Sequence, residues 1–419
     1  MKDVTPAVRG GSSGTKDVAQ AVHGGSSGTK EVTPAVHGGS SGTKEVTPAV
    51  HGGSSGMKDV AQAVHGGSPR PTDVTPPDSV VLRTGTLSWL LPRRSAFAAV
   101  LLLPLLVLLI TLAVMASSTG MSLSQTLSGI LGTGDAGTVM IVRDFRLPRI
   151  FTGLLVGAAL GIAGCLTQTL AGNRLATPDL VGVNEGATAA VVAAAAGSAT
   201  GTVGNWWLGP VGAVAAAVLV VLCAGGAGSA GYRLLVTGIG ISTFIGAVSD
   251  LIMSRENDNT AGGVFLWAVG SLNGRDWDAG TPLAVALLFL VPLSLAAGHR
   301  LQLLRFGDEV ASSLGVDLRR VRTVALALAV LLAGTAVGVG GPIAFVALAA
   351  PILAQRLTGP TRVPVTASAL TGAALIAAAD AIGRVAAPVE LPVGVVTSVL
   401  GGPFLLWVLL RPDPAAGKA

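Results

Sequence analysis

The sequence predicts an all-α membrane protein: about ten transmembrane helices in a compact bundle, preceded by a disordered repeat tail. Three observations predict it. The 419 residues are 50% hydrophobic and only 12% charged, with a mean hydropathy of +0.68. A soluble domain carries about 25% charge, so a bilayer is the natural solvent for this chain. Glycine is abundant, with 58 residues, and small residues let transmembrane helices pack backbone to backbone. Apolar runs of helix-spanning length recur from residue 96 to residue 410.

The first 70 residues are a different material. A 14-residue unit begins at Met1, Thr15, Thr29, Thr43 and Met57, each close to TKEVTPAVHGGSSG, and a decayed copy starts at Pro71. Each unit offers two or three apolar residues before a Gly/Ser break. That is too little buried surface to offset chain entropy. We therefore set a disordered tail over residues 1–80 and a membrane domain over 81–419. His23, His37, His51 and His65 recur at the repeat spacing and read as solvated linker residues. The GGSSGTK string is not a phosphate loop, because Thr29 and not glycine precedes Lys30.

Expected spans follow at about 96–115, 150–170, 186–199, 207–224, 234–253, 283–297, 321–339, 343–357, 365–382 and 393–410. A polar Ser/Thr-rich segment separates the first two, and residues 260–272 offer a short, partly inserted helix. Cys165 and Cys223 both fall in apolar runs and read as buried spectators.

Arginine placement orients the bundle. With the N-terminus inside, the arginines from Arg93 onward fall twelve in inside loops and six in outside ones. Both termini are then cytoplasmic. The outer group contains a cluster, Arg143, Arg146 and Arg149, directly before the Gly-rich second span, with Arg384 at the same end. An outward basic cluster suits an acidic partner; lipid headgroup anchoring is the plainer reading. Asp380 and Arg384 stand four apart on one helix and suit an i,i+4 pair.

On the inside, Phe306, Val310 and Leu314 recur at four-residue intervals, one face of a short helix, with Asp308 and Glu309 in its first turn. Spacing alone leaves open whether that face meets a partner groove or lies on lipid. Where the second span reaches the inside, Asn173 and Leu175 open a turn-forming loop that ends in Thr177-Pro178-Asp179. Gln168 either faces a pathway or bonds a neighbouring helix.

Several chemistries are excluded. No lysine occurs between Lys58 and Lys418, so the membrane domain has no phosphate-loop lysine. No His, Cys or carboxylate cluster has metal spacing, and no cofactor or catalytic set is expected. No basic stripe interleaves with aromatics, so nucleic acid is not a partner. A gradient-driven carrier tends to keep ionisable groups deep in its spans; here Asp250 and Asp380 lie toward outer ends.

Six motifs in order resemble one family. They are RLPR (146–149), NRLATPDLVGVNEGA (173–187), LWAVGSLNGRDW (266–277), FGDEVASSLGV (306–316), GGPIAFVALAAPILAQRLTG (340–359) and ELPVGVVTSVLGGPF (390–404). From about residue 96 to 411 the chain resembles the FecCD permeases of ABC importers for iron–siderophores, haem and cobalamin. It departs at Arg174, where the family commonly has proline, at Ile352, where many members have histidine, and at Gln355, where many have arginine. The resemblance implies a multi-pass permease of the cell membrane, paired with a second, identical or homologous permease chain. Two ATPase subunits would dock on the inside, at the loop of Phe306, Gly307, Asp308, Glu309, Leu314 and Gly315. A substrate-loaded extracytoplasmic binding protein would dock on Arg146, Arg149 and Arg384, with Arg143 beside them. Gln168, Asn173 and Leu175 would belong to the inner gate of the path. The implied cargo is a ferric siderophore, with haem and cobalamin as alternatives.

Overall fold

The computed structural model describes residues 79–84, 87–115, 122–197, 206–226, 231–255, 264–359, 362–387 and 389–410. Apart from residues 79 and 80, the expected repeat tail lies outside the described residues. Those two open a hairpin that the sequence reading did not anticipate. Strand β1 (Ser79–Thr84) pairs antiparallel with β2 (Leu87–Pro92), in a register that sets Thr84 opposite Leu87. Only two residues then join the strands, the commonest hairpin length.

The other regular elements among the described residues are helices. Among the described residues seven are long and apolar enough to cross a membrane, and three shorter apolar helices join them. They occupy the ten expected positions. Helix α1 is Arg93–Met115, and the short α2 (Leu123–Leu131) and α3 (Ala136–Met140) follow it. A π-helical turn, Ile141–Arg146, then leads without a break into α4 (Leu147–Ala171). The second span therefore starts well before residue 150, correcting the expectation of a polar loop up to Arg146. Pro148 accounts for the widened turn. It lacks the N–H that would bond the carbonyl of Asp144, and its ring crowds that carbonyl; the Leu147 amide reaches back five residues to Val142 instead.

After α4 come a 3-10 turn (Pro178–Val181), α5 (Val183–Ala196), α6 (Leu208–Cys223) and α7 (Gly231–Met253). Residues 264–268 form one further helical turn, in the region where a short helix was expected. Then follow α8 (Trp277–Leu304), α9 (Asp308–Ser313), α10 (Leu318–Gly340), α11 (Val346–Thr358), α12 (Val365–Val385) and α13 (Val393–Leu410). Helices α5, α6 and α11 hold 14, 16 and 13 residues. At 1.5 Å per residue each is about 20–24 Å long, short of the roughly 30 Å apolar layer.

Helix α4 sits at the centre, packed against α8, α10, α11 and α12. Its glycines make this possible. A Cβ on Gly157 would overlap the carbonyl of Gly372 in α12, and one on Gly372 would overlap that of Gly157. Farther along, Gly164 stands against the carbonyl of Ala347 in α11. The helices touch through backbone, where side-chain volume would hold them apart. Cys165 is buried in this seam, but Cys223 is exposed, so the reading of two buried cysteines holds for one only.

Three irregular segments meet at one end of α10. The Gly394 amide donates to the carbonyl of Gly270 at 2.8 Å, and Gly341 (φ 75°) abuts the carbonyl of Trp267. Non-helical backbone at membrane depth is tolerated where protein buries it, and Gly270, Gly341 and Gly394 are all buried. By contrast α7 and α13 turn large apolar residues outward, among them Val236, Ile239, Phe244 and Leu251, and Val399, Leu406 and Leu409.

Candidate functional site

The end of α1 organises the basic cluster. The last carbonyls of a helix have no partner within it and attract cations. Arg146 Nη1 donates to the carbonyl of Val114 at 2.8 Å, and Arg384 Nη1 to that of Ala113 at 3.0 Å. Both arginines are buried, 7% and 8% exposed. Arg143 does the same for α2: its Nε and Nη2 donate to the carbonyl of Ile130 at 3.2 and 2.8 Å. Its own carbonyl accepts from Trp277 Nε1 at 3.1 Å.

Asp380 joins Arg384 to Arg149. Its Oδ1 accepts from Arg149 Nη2 at 2.8 Å and Nε at 3.1 Å, and its Oδ2 accepts from Arg384 Nη2. The i,i+4 pair is present, and Arg149 of α4 completes a three-residue link between two spans. Arg149 also donates through Nη1 to Glu390 Oε2 at 2.8 Å. Glu390 belongs to the segment before α13 and is half exposed. Its carboxyl is held below the usual glutamate range, chiefly by that hydrogen bond. The three arginines thus share one end of the bundle, but not as free charge. Arg146 and Arg384 are turned inward, and the accessible side of Arg149 is occupied by Glu390.

At the other end, Val310 of α9 and the flanking Phe306 and Leu314 are each roughly half to two-thirds exposed. Gly307 (φ 98°) starts the helix and Gly315 (φ 80°) ends it, both in the region that favours glycine. Asp308 is held by Arg322 of α10, whose Nη2 lies 2.8 and 2.9 Å from its two oxygens. Glu309 is exposed in the same first turn. Asp317 caps α10 by accepting from the Arg320 amide at 3.1 Å.

Gln168 is buried near the end of α4. Its Nε2 donates to the carbonyl of Leu348 in α11 at 3.0 Å, a bond between helices. Asn173 shapes the loop that follows, its Oδ1 accepting from the Leu175 amide at 2.9 Å. Both Asn173 and Leu175 are exposed. Asp179, farther along this loop, was not singled out as a site residue. Burial, and then the neighbouring Glu185, push its carboxyl up to about 7. Among the described residues no group of three or more His, Cys, Asp or Glu is placed to hold a metal ion.

The FecCD transport family model matches residues 105–411, from α1 through α13. The chain belongs to the FecCD transport family. It is 36% identical over 289 residues to the ferric enterobactin transport system permease protein FepG of Escherichia coli (strain K12), covering 69% of this chain and 88% of FepG. It is 34% identical over 299 residues to the iron(3+)-hydroxamate import system permease protein FhuG of Bacillus subtilis (strain 168), covering 68% of this chain and 88% of FhuG. A solved structure described as an inward-facing conformation of a metal-chelate type ABC transporter shares the fold. It has a TM-score of 0.65 at 23% identity and covers 76% of this chain and all of the other. This FecCD member is a multi-pass membrane protein whose family-matched region has a helical permease fold.

Proposed function

We propose that the chain is the transmembrane permease subunit of an ATP-driven importer that moves a ferric siderophore across the cell membrane. One observation carries this reading: a family match spanning α1 to α13, with relatives whose names specify ferric enterobactin and iron(3+)-hydroxamate. The ferric ion travels inside its chelate as cargo, so it asks for no metal-binding cluster from the protein.

The parts divide as follows. Two permease chains line a central path, and the apolar faces left unpaired on α7 and α13 supply surface for the second chain. Both termini face the cytoplasm. The exposed Phe306, Val310 and Leu314 dock in a groove of a cytoplasmic ATPase subunit, with Asp308 steadied by Arg322. ATP hydrolysis resides on that partner; this chain has no phosphate-loop lysine in its membrane domain.

A substrate-loaded binding protein docks outside. Arg149 offers the planar fork that holds a carboxylate, and its present occupant is this chain's own Glu390. Docking exchanges that carboxylate for one from the binding protein. Arg146 and Arg384 act behind it, fixing α1 and α12 under the docking surface. The test is uptake of a radio-iron siderophore by a deletion strain. Restoration by the wild-type chain, and not by one lacking α9, supports the reading. Unchanged uptake in the deletion strain contradicts it.

A further inference from the structure

A cavity of about 210 Å³ opens where α1, α8 and the start of α12 meet. It holds the space of about seven waters, or one phosphate with its glycerol. Its walls are apolar: Leu102 of α1, Leu295 of α8 and Leu370 of α12. Its rim is basic. Arg362 and His299 line it, and no carboxylate does. The Arg362 side chain is exposed and makes no hydrogen bond or ion pair among the described residues. His299 Nδ1 donates to the carbonyl of Leu295 at 2.6 Å, which in the neutral ring makes Nε2 an acceptor, so Arg362 is the group that meets an anion. Val365 and Thr366, in the uncapped first turn of α12, add the positive end of a helix dipole.

The surroundings select the occupant. Next to the cavity, α1 turns Leu101, Leu103 and Leu105 outward, and α8 turns Leu288, Phe289 and Leu293 outward. The apolar walls therefore continue into lipid-exposed helix faces, while the free cation sits at the helix ends. A soluble anion makes no use of the leucines, and a zwitterionic lipid brings its own cation to a rim that already has one. We propose that this cavity binds an anionic phospholipid, its phosphate on Arg362 and its acyl chain against Leu102, Leu295 and Leu370. Arginine suits the task because its fork matches two phosphate oxygens, and basic pockets between transmembrane helices hold anionic head groups in this way.

The test uses the full chain in detergent micelles, titrated with phosphatidylglycerol or phosphatidylcholine and read by native mass spectrometry. Wild type should retain one phosphatidylglycerol and no phosphatidylcholine. Arg362→Gln should reduce retention about tenfold. Leu370→Trp should do the same by filling the cavity without changing charge. Arg319→Gln, which removes an arginine outside the cavity, should leave retention unchanged. Excess inorganic phosphate should not displace the lipid. The proposal is overturned if the Arg362 variant, eluting as a folded monodisperse protein, keeps phosphatidylglycerol as well as wild type does. Equal retention of phosphatidylcholine overturns it too, as does displacement by phosphate, which would mark a bare anion site.

Discussion

Arg149 and Asp380, 231 positions apart in the chain, are joined by two hydrogen bonds onto a single carboxylate oxygen, 2.8 Å from Nη2 and 3.1 Å from Nε. The other oxygen of Asp380 holds Arg384. One carboxylate therefore bridges two largely buried arginines and ties α4 to α12.

Removing that carboxylate leaves both cations with too few partners. Breaking a buried pair from one side costs about 3–5 kcal/mol, because the orphaned charge stays desolvated. Asp380→Asn should lower the thermal unfolding temperature of the purified chain by several degrees. Unfolding at the wild-type temperature would show that the arginines find other acceptors.

Glu390 is the accessible partner of Arg149. Its folded pKa is depressed, so its contribution to stability is full above the ordinary glutamate value of about 4.3 and disappears as pH falls through the lower folded value. Glu390→Gln should therefore lower stability by a constant amount above about 4.3 and flatten the loss of stability between that value and the lower folded one. The same variant should bind the loaded binding protein more tightly, since Arg149 no longer has to release a charged occupant. Weaker binding would instead make Glu390 part of the docking surface.

Asp179 behaves with the opposite sign. Its carboxyl is pushed up to about 7 by burial and by Glu185, so the folded chain favours the protonated form. Its contribution to stability is then greatest below the ordinary aspartate value and declines as pH rises toward 7. Asp179→Asn should flatten that slope between pH 5 and pH 7, a range chosen from the reference value of about 3.9 and the raised one. An unchanged slope, measured by thermal unfolding across the range, would place the titration elsewhere.

The α9 loop tests coupling. Gly315 has φ 80°, which proline cannot adopt, and its amide donates to the carbonyl of Ser312 at 2.9 Å. Gly315→Pro and Leu314→Asp should both abolish substrate-stimulated ATP hydrolysis in the reconstituted complex, with the bundle still folded. Full stimulation in both variants would mean that the loop rests on lipid.

The positions of the spans were legible because apolar runs and glycine spacing are local signals. The Asp380–Arg384 pair was legible for the same reason, lying on one helix. The Arg149–Glu390 pair was not, since 241 positions separate its members. Nor did the sequence tell an arginine that caps a helix from one that greets a partner. The acceptors of Arg146 and Arg384 are backbone carbonyls of Val114 and Ala113, which leave no mark in residue identity. The early start of the second span was hidden by Arg143, Asp144 and Arg146, whose polarity read as loop while a π turn and backbone acceptors carried them in a helix. The β1–β2 hairpin fell across the boundary drawn between decaying repeats and the first apolar run.

The central claim is ATP-driven import through this permease, and transport in proteoliposomes tests it most directly. The vesicles would hold this chain, its permease partner and its ATPase subunits, with the binding protein and a radio-iron siderophore added on the binding-protein side. Uptake should require ATP, stop when the ATPase site is broken, and be indifferent to ionophores that collapse ion gradients. Uptake driven by an ion gradient without ATP would contradict it.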